Sequence, residues 1–423
     1  MSYTSLKTED KYDLKWIYNT IFANIAMGPL STIIVLYILA SGGGVIEASY
    51  AITAGTVISI PASYIWGKIS DLYQRRRAQI IISYIGLAGS LLALYFINNV
   101  LDIILIYALY SFLITANSAP LSLLVMETSS KDLWSRVFSI LQLAGSVGGT
   151  VGFAFAFVVT DVIALKFLIL ILFFISLISV VTSAIYVPEP VKKMDRSIFG
   201  TDLFAFLSRM YTNSILFIKS TNVNIVKLKR SFKLRNNSTI SKLYFAIFLF
   251  YIGSGLFNTV YPAGLKQNGL SESTIFLVIF IGMIVQTITF YYLGSKPHTI
   301  STSKGLYSAL FLRGGSYFMI GIIFILMKPI IFYSNMIFYA LAAGIGFSIY
   351  YTVSSVMVFQ TIGKSNRGKS LGAYSAIIGI GTLIGALLSG YISYYIGYWF
   401  TFALAGVTVL SSYFFFSMIK FHG

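Results

Sequence analysis

Cysteine is absent from the 423 residues, and histidine occurs only twice, at His298 and His422. Without cysteine no disulfide braces an exposed loop, and two distant histidines exclude a His-based metal site. Charge is also scarce: 10% of residues are Asp, Glu, Lys or Arg, where a soluble chain has about 25%. The GxSxG, HExxH and P-loop patterns are missing. Gly379-Ile-Gly381 lies in an apolar run rather than after a strand, so it is no nucleotide site. No enzymatic activity and no cofactor is expected.

What remains is apolar. Hydrophobic residues make up 57% of the chain, the mean hydropathy is +0.83, and many runs exceed the length that crosses a bilayer. The fold class is therefore an all-α membrane protein. A transmembrane barrel is excluded, because its strands would alternate polar and apolar residues in short units. The runs predict twelve spans, at 16–39, 47–66, 79–97, 101–126, 137–159 and 163–187, then 243–264, 273–293, 305–327, 331–358, 370–393 and 399–419. Between the last two, apolar character barely breaks around Ile396-Gly397-Tyr398. The first 15 residues mix Lys7, Lys11 and Lys15 with Glu9, Asp10 and Asp13, and a full-length span follows, which is not a cleavable leader.

The net charge of +17 is explained by where the cations fall, so no nucleic acid is needed as partner. Clusters such as Arg75-Arg76-Arg77, Lys131/Arg136 and Lys364/Arg367/Lys369 lie on one set of span ends, with the central segment. The opposite ends carry only Lys166, Lys266 and Lys328, and Arg313 falls inside a span. Cytoplasmic loops hold the excess of Lys and Arg. Both termini and the central segment are thus expected in the cytoplasm, with the protein multi-pass in the plasma membrane.

The halves repeat. Lys15 precedes Gly28 as Lys242 precedes Gly255, and Tyr107-Ala-Leu recurs as Tyr339-Ala-Leu. Arg136, Ser139 and Gly148 match Arg367, Ser370 and Gly379, and the offset stays between 226 and 232. Six spans per half, starting on the same side, make parallel repeats. The expected organisation is a six-helix bundle over 1–190, a cytoplasmic linker over 191–241, and a second six-helix bundle over 242–423. In the linker, Phe199, Leu203, Phe206, Leu207 and Met210 stand at the spacing of an amphipathic interfacial helix. The basic stretch from Lys227 to Arg235 adds attraction to anionic lipid heads.

Between spans 2 and 3 the chain reads Gly67-Lys-Ile-Ser-Asp71-Leu-Tyr-Gln-Arg75-Arg76-Arg77. This resembles the signature loop of the major facilitator superfamily, with Gln74 where the family usually has Gly. The resemblance implies the MFS-type fold and alternating access, with no cofactor. It also implies an inner gate of Asp71, Arg75 and Glu127, Gly67 allowing close helix approach, while Arg76 and Arg77 set topology. Span 5 holds Gly145-Ser-Val-Gly148-Gly149-Thr-Val-Gly152, similar to the glycine-rich fifth helix of the superfamily's antiporters. Gly148 and Gly152 form a GxxxG, as do Gly381 and Gly385 in span 11, and both are helix-packing candidates.

No acid lies near the middle of a span, so a cationic solute would find no buried countercharge. A small neutral or anionic organic solute is expected instead. In the family spans 1, 4, 7 and 10 line the cavity, with 2, 5, 8 and 11 beside them. That puts Asn24, Asn117, Gln142, Asn258, Gln286, Tyr350 and Tyr351 forward as solute contacts. Asn24 and Asn117 also suit hydrogen bonding to a neighbouring helix, and the tyrosines suit interface anchoring. Arg313, about 14 Å beyond Lys304 along a helix, is near mid-membrane. It reads as an anion-binding or coupling group, or as a peripheral side chain that snorkels. The expected activity is secondary transport by a monomer; a transporter-like receptor signalling through the central segment is the alternative.

Overall fold

A computed structural model describes residues 14–73, 75–129, 134–189, 239–295, 302–325, 328–361 and 367–419. The central segment, with its expected amphipathic helix and basic run, lies outside them. Twelve helices have the length and apolar character to cross a membrane. In chain order they are α1 Lys15–Ala40, α2 Val45–Ser70, α3 Arg76–Phe96, α4 Val100–Thr128, α5 Val137–Val162 and α6 Leu165–Tyr186, then α7 Ser241–Gln267, α8 Glu272–Leu293, α9 Ser303–Ile323, α10 Ile330–Ser354, α11 Tyr374–Tyr395 and α12 Tyr398–Ser417. No strand occurs among the described residues. With a barrel excluded by the sequence pattern, helices are what lipid requires, since each pairs its backbone donors and acceptors within its own segment. Each predicted span is present, with its ends within four residues of expectation.

The weak break before the last span is a sharp one. Ile396 N and Gly397 N both donate to the Ile392 carbonyl, at 2.9 and 3.1 Å. Gly397 then takes φ 117°, a conformation that glycine adopts without steric cost. Three other helices carry local irregularities. Gly28-Pro29 divides α1 into two helical stretches. In α4 a 3₁₀ turn covers Thr115–Asn117, just before Pro120, which offers no N–H to the preceding turn. In α10 a π-helical stretch covers Ala340–Gly346.

One crossing built on glycine recurs in both halves. A Cβ at Gly148 would strike the Ile21 carbonyl, and one at Gly152 the Ile25 carbonyl. In the second half a Cβ at Gly381 would lie 2.9 Å from the Phe248 carbonyl oxygen, and one at Gly385 would strike the Ile252 carbonyl. Ile252 therefore stands to Gly385 as Ile25 stands to Gly152. The GxxxG pairs are equivalent across the repeat, two residues out of step with the match of Gly148 to Gly379 read from sequence. Where the backbones approach this closely, small residues are required. The halves meet along two seams, α2 against α11 and α5 against α8, and the second stretch of α1 packs on α7.

Candidate functional site

Both seams are tight at the end opposite the basic loops. On the α2–α11 seam, a Cβ at Gly390 would lie 2.6 Å from Ser49 Cβ. The hydroxyls of Tyr50 and Tyr391 touch beside it. On the α5–α8 seam, Ser273 Oγ donates to the Phe157 carbonyl at 3.1 Å, and the rings of Phe153 and Phe276 are 6.3 Å apart. Toward mid-membrane this seam becomes polar. Thr150 Oγ1 and Thr287 Oγ1 are 2.9 Å apart, Thr287 donates to Ser146 Oγ at 3.1 Å, and Thr150 also reaches the Met283 carbonyl. Nearer the basic end, Gln142 Nε2 on α5 donates to the Tyr351 hydroxyl on α10 at 3.4 Å.

The basic end of the first half is tied internally. Arg76, buried at 6% exposure, donates to the Ser70 carbonyl at 2.7 Å and to Ser70 Oγ at 2.9 Å. Its other terminal nitrogen forms an ion pair with Glu127 at 2.9 Å. One guanidinium thus joins the ends of α2, α3 and α4. The cation on Glu127 is Arg76 rather than Arg75, which is exposed at the N-cap of α3. Arg77 Nε donates to the Val187 carbonyl at 2.6 Å, so it too does more than set topology. The Asp71 side chain lies outside what is described. A Cβ on Gly67 meets no described residue within 4 Å.

The polar candidates separate into several environments. Asn24 is half-buried on the glycine face of α5, 2.8 Å from a Cβ placed on Gly148, and its Nδ2 donates to the Thr20 carbonyl at 2.7 Å. Asn117 sits in the 3₁₀ turn of α4, half-buried. Asn258 is exposed between the buried Phe257 and Thr259, and among the described residues it has no hydrogen-bond partner. Gln286 is half-buried, and only its backbone carbonyl is engaged, by Ser348 at 3.5 Å. Tyr351 is half-buried beside Phe290 and Phe347. Tyr350 is neither an interface anchor nor open to a solute: it is 0% exposed and stacks on Phe250 at 3.4 Å. Sequence reading overlooked Asn335, whose buried Oδ1 accepts from Tyr261 at 2.9 Å and joins α7 to α10.

Arg313 does not snorkel. It is 3% exposed, with its guanidinium over Phe347 at 4.9 Å, Tyr317 at 5.1 Å and Phe250 at 5.3 Å. One terminal nitrogen donates to the Ala342 carbonyl at 3.1 Å. That carbonyl belongs to the π-helical stretch of α10, where the regular ladder is interrupted. Gly346, at the end of the stretch, lets α10 approach: a Cβ there would be 3.1 Å from the Arg313 backbone.

A family model matches most of the chain. The model described as Major Facilitator Superfamily covers residues 17–330 and 243–421. The chain belongs to the major facilitator superfamily. Its fold and family are those of secondary transporters. No curated protein matches the chain. Among solved structures, the peptide transporter POT in complex with sulfate aligns with a TM-score of 0.72 at 11% identity, covering 97% of this chain and 94% of that one. The nucleoside transporter NupG gives 0.68 at 14% identity, covering 97% and 100%. A POT family transporter in complex with 5-aminolevulinic acid gives 0.71 at 11% identity, covering 96% of each. At such identities the likeness is one of fold.

Proposed function

We propose that this member of the superfamily moves a small neutral or anionic organic solute across the plasma membrane by alternating access, working as a monomer with both termini in the cytoplasm. The observation that supports the reading is how the seams are closed among the described residues. They close at the end opposite the basic loops, through Ser49/Gly390, Tyr50/Tyr391 and Ser273/Phe157, while Asn258 and Gln142 stay exposed along the spans. On this reading the solute cavity opens toward the basic end, which faces the cytoplasm. The solute contacts are Asn258, Gln142 and Tyr351, with Gln286, Asn24 and Asn117 beside them. The inner gate is the Gly67–Arg75 loop with Asp71, closing when the outer seam opens, and Arg76–Glu127 is its rigid mount.

Solute chemistry follows from charge. The described acids, Glu47, Asp102, Glu127, Asp161, Glu189 and Glu272, lie at span ends or beyond, so a cation would meet no countercharge in mid-membrane. The same absence leaves no buried carboxylate to carry a proton, which favours exchange or facilitated movement down a solute gradient. A panel of neutral and anionic metabolites, screened by thermal stabilisation, should identify a ligand. Its uptake into proteoliposomes should then be equal with and without a pH gradient. A ligand that binds with no flux under any gradient would refute transport and leave a solute receptor.

A further inference from the structure

At the end opposite the basic loops, the second half carries a cleft of about 430 Å³, within the roughly 300–1,000 Å³ of small-molecule sites. It is lined by Gln267 and Asn268 at the end of α7, Phe324 after α9, and Tyr394, Tyr398 and Trp399 at the α11–α12 turn. The rings are held in place. A Cβ on Gly264 would lie 2.9 Å from Tyr398, 3.0 Å from Phe402 and 3.2 Å from Phe324, so three rings close over that glycine. Ser393 Oγ and Thr401 Oγ1, 2.9 Å apart, tie α11 to α12. Gly397, at φ 117°, brings Trp399 within 3.1 Å of where its own Cβ would stand. Polar capacity in the cleft is unused. The Gln267 side chain is exposed and makes no hydrogen bond among the described residues. Asn268 Nδ2 donates to the Gly264 carbonyl at 2.9 Å, which leaves its Oδ1 unpartnered among the described residues.

We infer that this cleft binds the uncharged sugar unit of a glycolipid head group. Interfacial anchoring explains aromatic rings at this depth, but neither the cleft nor the unused amides beside them. None of the residues that line the cleft is ionised, and Lys266, next in sequence, is held by Glu272 at 3.1 Å. A phosphate would find no cation there, which disfavours phospholipid heads whatever else they carry. A neutral polyol fits. Each of its hydroxyls both donates and accepts, as amides and phenols together can match, and the C–H faces of a pyranose pack on the apolar bodies of Tyr and Trp. The setting selects a lipid over a free sugar. Ile396 within the cleft and Ile325 beside Phe324 are exposed, and this apolar surface is what the glycerol backbone and acyl chains of a bound lipid would cover. The inference is independent of the transport reading, since it predicts lipid binding whether or not any solute moves.

The test is tryptophan fluorescence of the full-length protein in phosphatidylcholine nanodiscs doped with increasing monoglucosyl diacylglycerol. A saturable change in emission is expected, absent in Trp399→Phe, which removes the reporter in the cleft. Unglycosylated diacylglycerol and phosphatidylglycerol should give no saturable change, and free methyl glucoside should bind far more weakly than the glycolipid. Gln267→Ala touches no internal hydrogen bond, so it should keep its Tm while raising the half-saturating mole fraction about fivefold, the worth of one neutral hydrogen bond. If Trp399→Phe fails to fold, the comparison of wild type with Gln267→Ala decides alone. No saturable response to the glycolipid would overturn the proposal, as would a response unchanged in Gln267→Ala. An equal response to phosphatidylglycerol would reduce the rings to general anchors, and methyl glucoside binding as tightly as the glycolipid would assign the cleft to a free sugar; either result would also overturn it.

Discussion

Substituting Gly385 by Ala tests the repeated crossing that builds each half. A methyl group at Gly385 would meet the Ile252 carbonyl, and would lie 2.8 Å from Leu256 N and 3.0 Å from Gly255 Cα. All three neighbours are backbone of α7, so no side chain can turn aside and the two helices must separate. Overpacking of this kind costs about 1–3 kcal/mol, against which the better helix propensity of Ala returns about 1 kcal/mol. Gly315 supplies the internal control, because a Cβ there meets nothing within 4 Å and only the propensity gain applies. Gly385→Ala should therefore be about 1–3 kcal/mol less stable than Gly315→Ala, and Gly152→Ala should behave like Gly385→Ala. The assay is equilibrium unfolding of the purified protein in detergent. If Gly385→Ala proved as stable as Gly315→Ala, the close-crossing argument would fail for both halves.

Three further outcomes are expected. Glu127→Gln removes the ion pair but leaves the Ser70 hydrogen bonds of Arg76, and because Glu127 is exposed it should cost about 1 kcal/mol. In a double-mutant cycle with Arg76→Gln, additive losses would show that the ion pair is not a unit. Thr287→Val removes the hydroxyl by which α8 bonds to Thr150 and Ser146 of α5 across the seam. It should raise the labelling rate of Ser49→Cys by an external thiol reagent about fivefold, equivalent to one lost hydrogen bond; an unchanged rate would remove the cluster from the account. Asn258→Leu touches no internal hydrogen bond, so it should leave Tm unchanged while weakening solute binding about tenfold. A loss of stability without loss of affinity would place Asn258 outside the pathway.

Much of the architecture was legible because lipid makes it so. Span length follows from bilayer thickness, and the GxxxG pairs mark their crossings because only backbone contact demands them. The register between repeats was harder, since matching Gly148 with Gly379 relied on identities rather than on which carbonyl each glycine faces. The choice among three consecutive arginines depended on helix phase. α3 begins at Arg76, so Arg75 stays outside at φ −92° and ψ 84°, while Arg76 points inward to Ser70 and Glu127. The resemblance to the family's loop grouped Arg75 with Asp71 and Glu127, and position along the chain alone does not show that Glu127 pairs with Arg76. Arg313 was visible as a charge in a span, but Phe250, Phe347 and the Ala342 carbonyl come from α7 and α10, far away in sequence. Tyr350 carried no signal that separates a buried tyrosine from one at the membrane interface. Asn335 passed unnoticed for the same reason, its partner Tyr261 being on another helix.

Closure of one face followed by opening of the other is the core of the functional account, and the natural absence of cysteine makes it directly measurable. With Gly390→Cys and Ser49→Cys, the Cβ atoms start 2.6 Å apart and need only a small shift to reach the roughly 3.5–4.5 Å of a disulfide. Solute flux in proteoliposomes should vanish when the pair is oxidised and return on reduction, with solute binding from the basic end retained throughout. Undiminished flux through the oxidised protein would contradict alternating access at this seam.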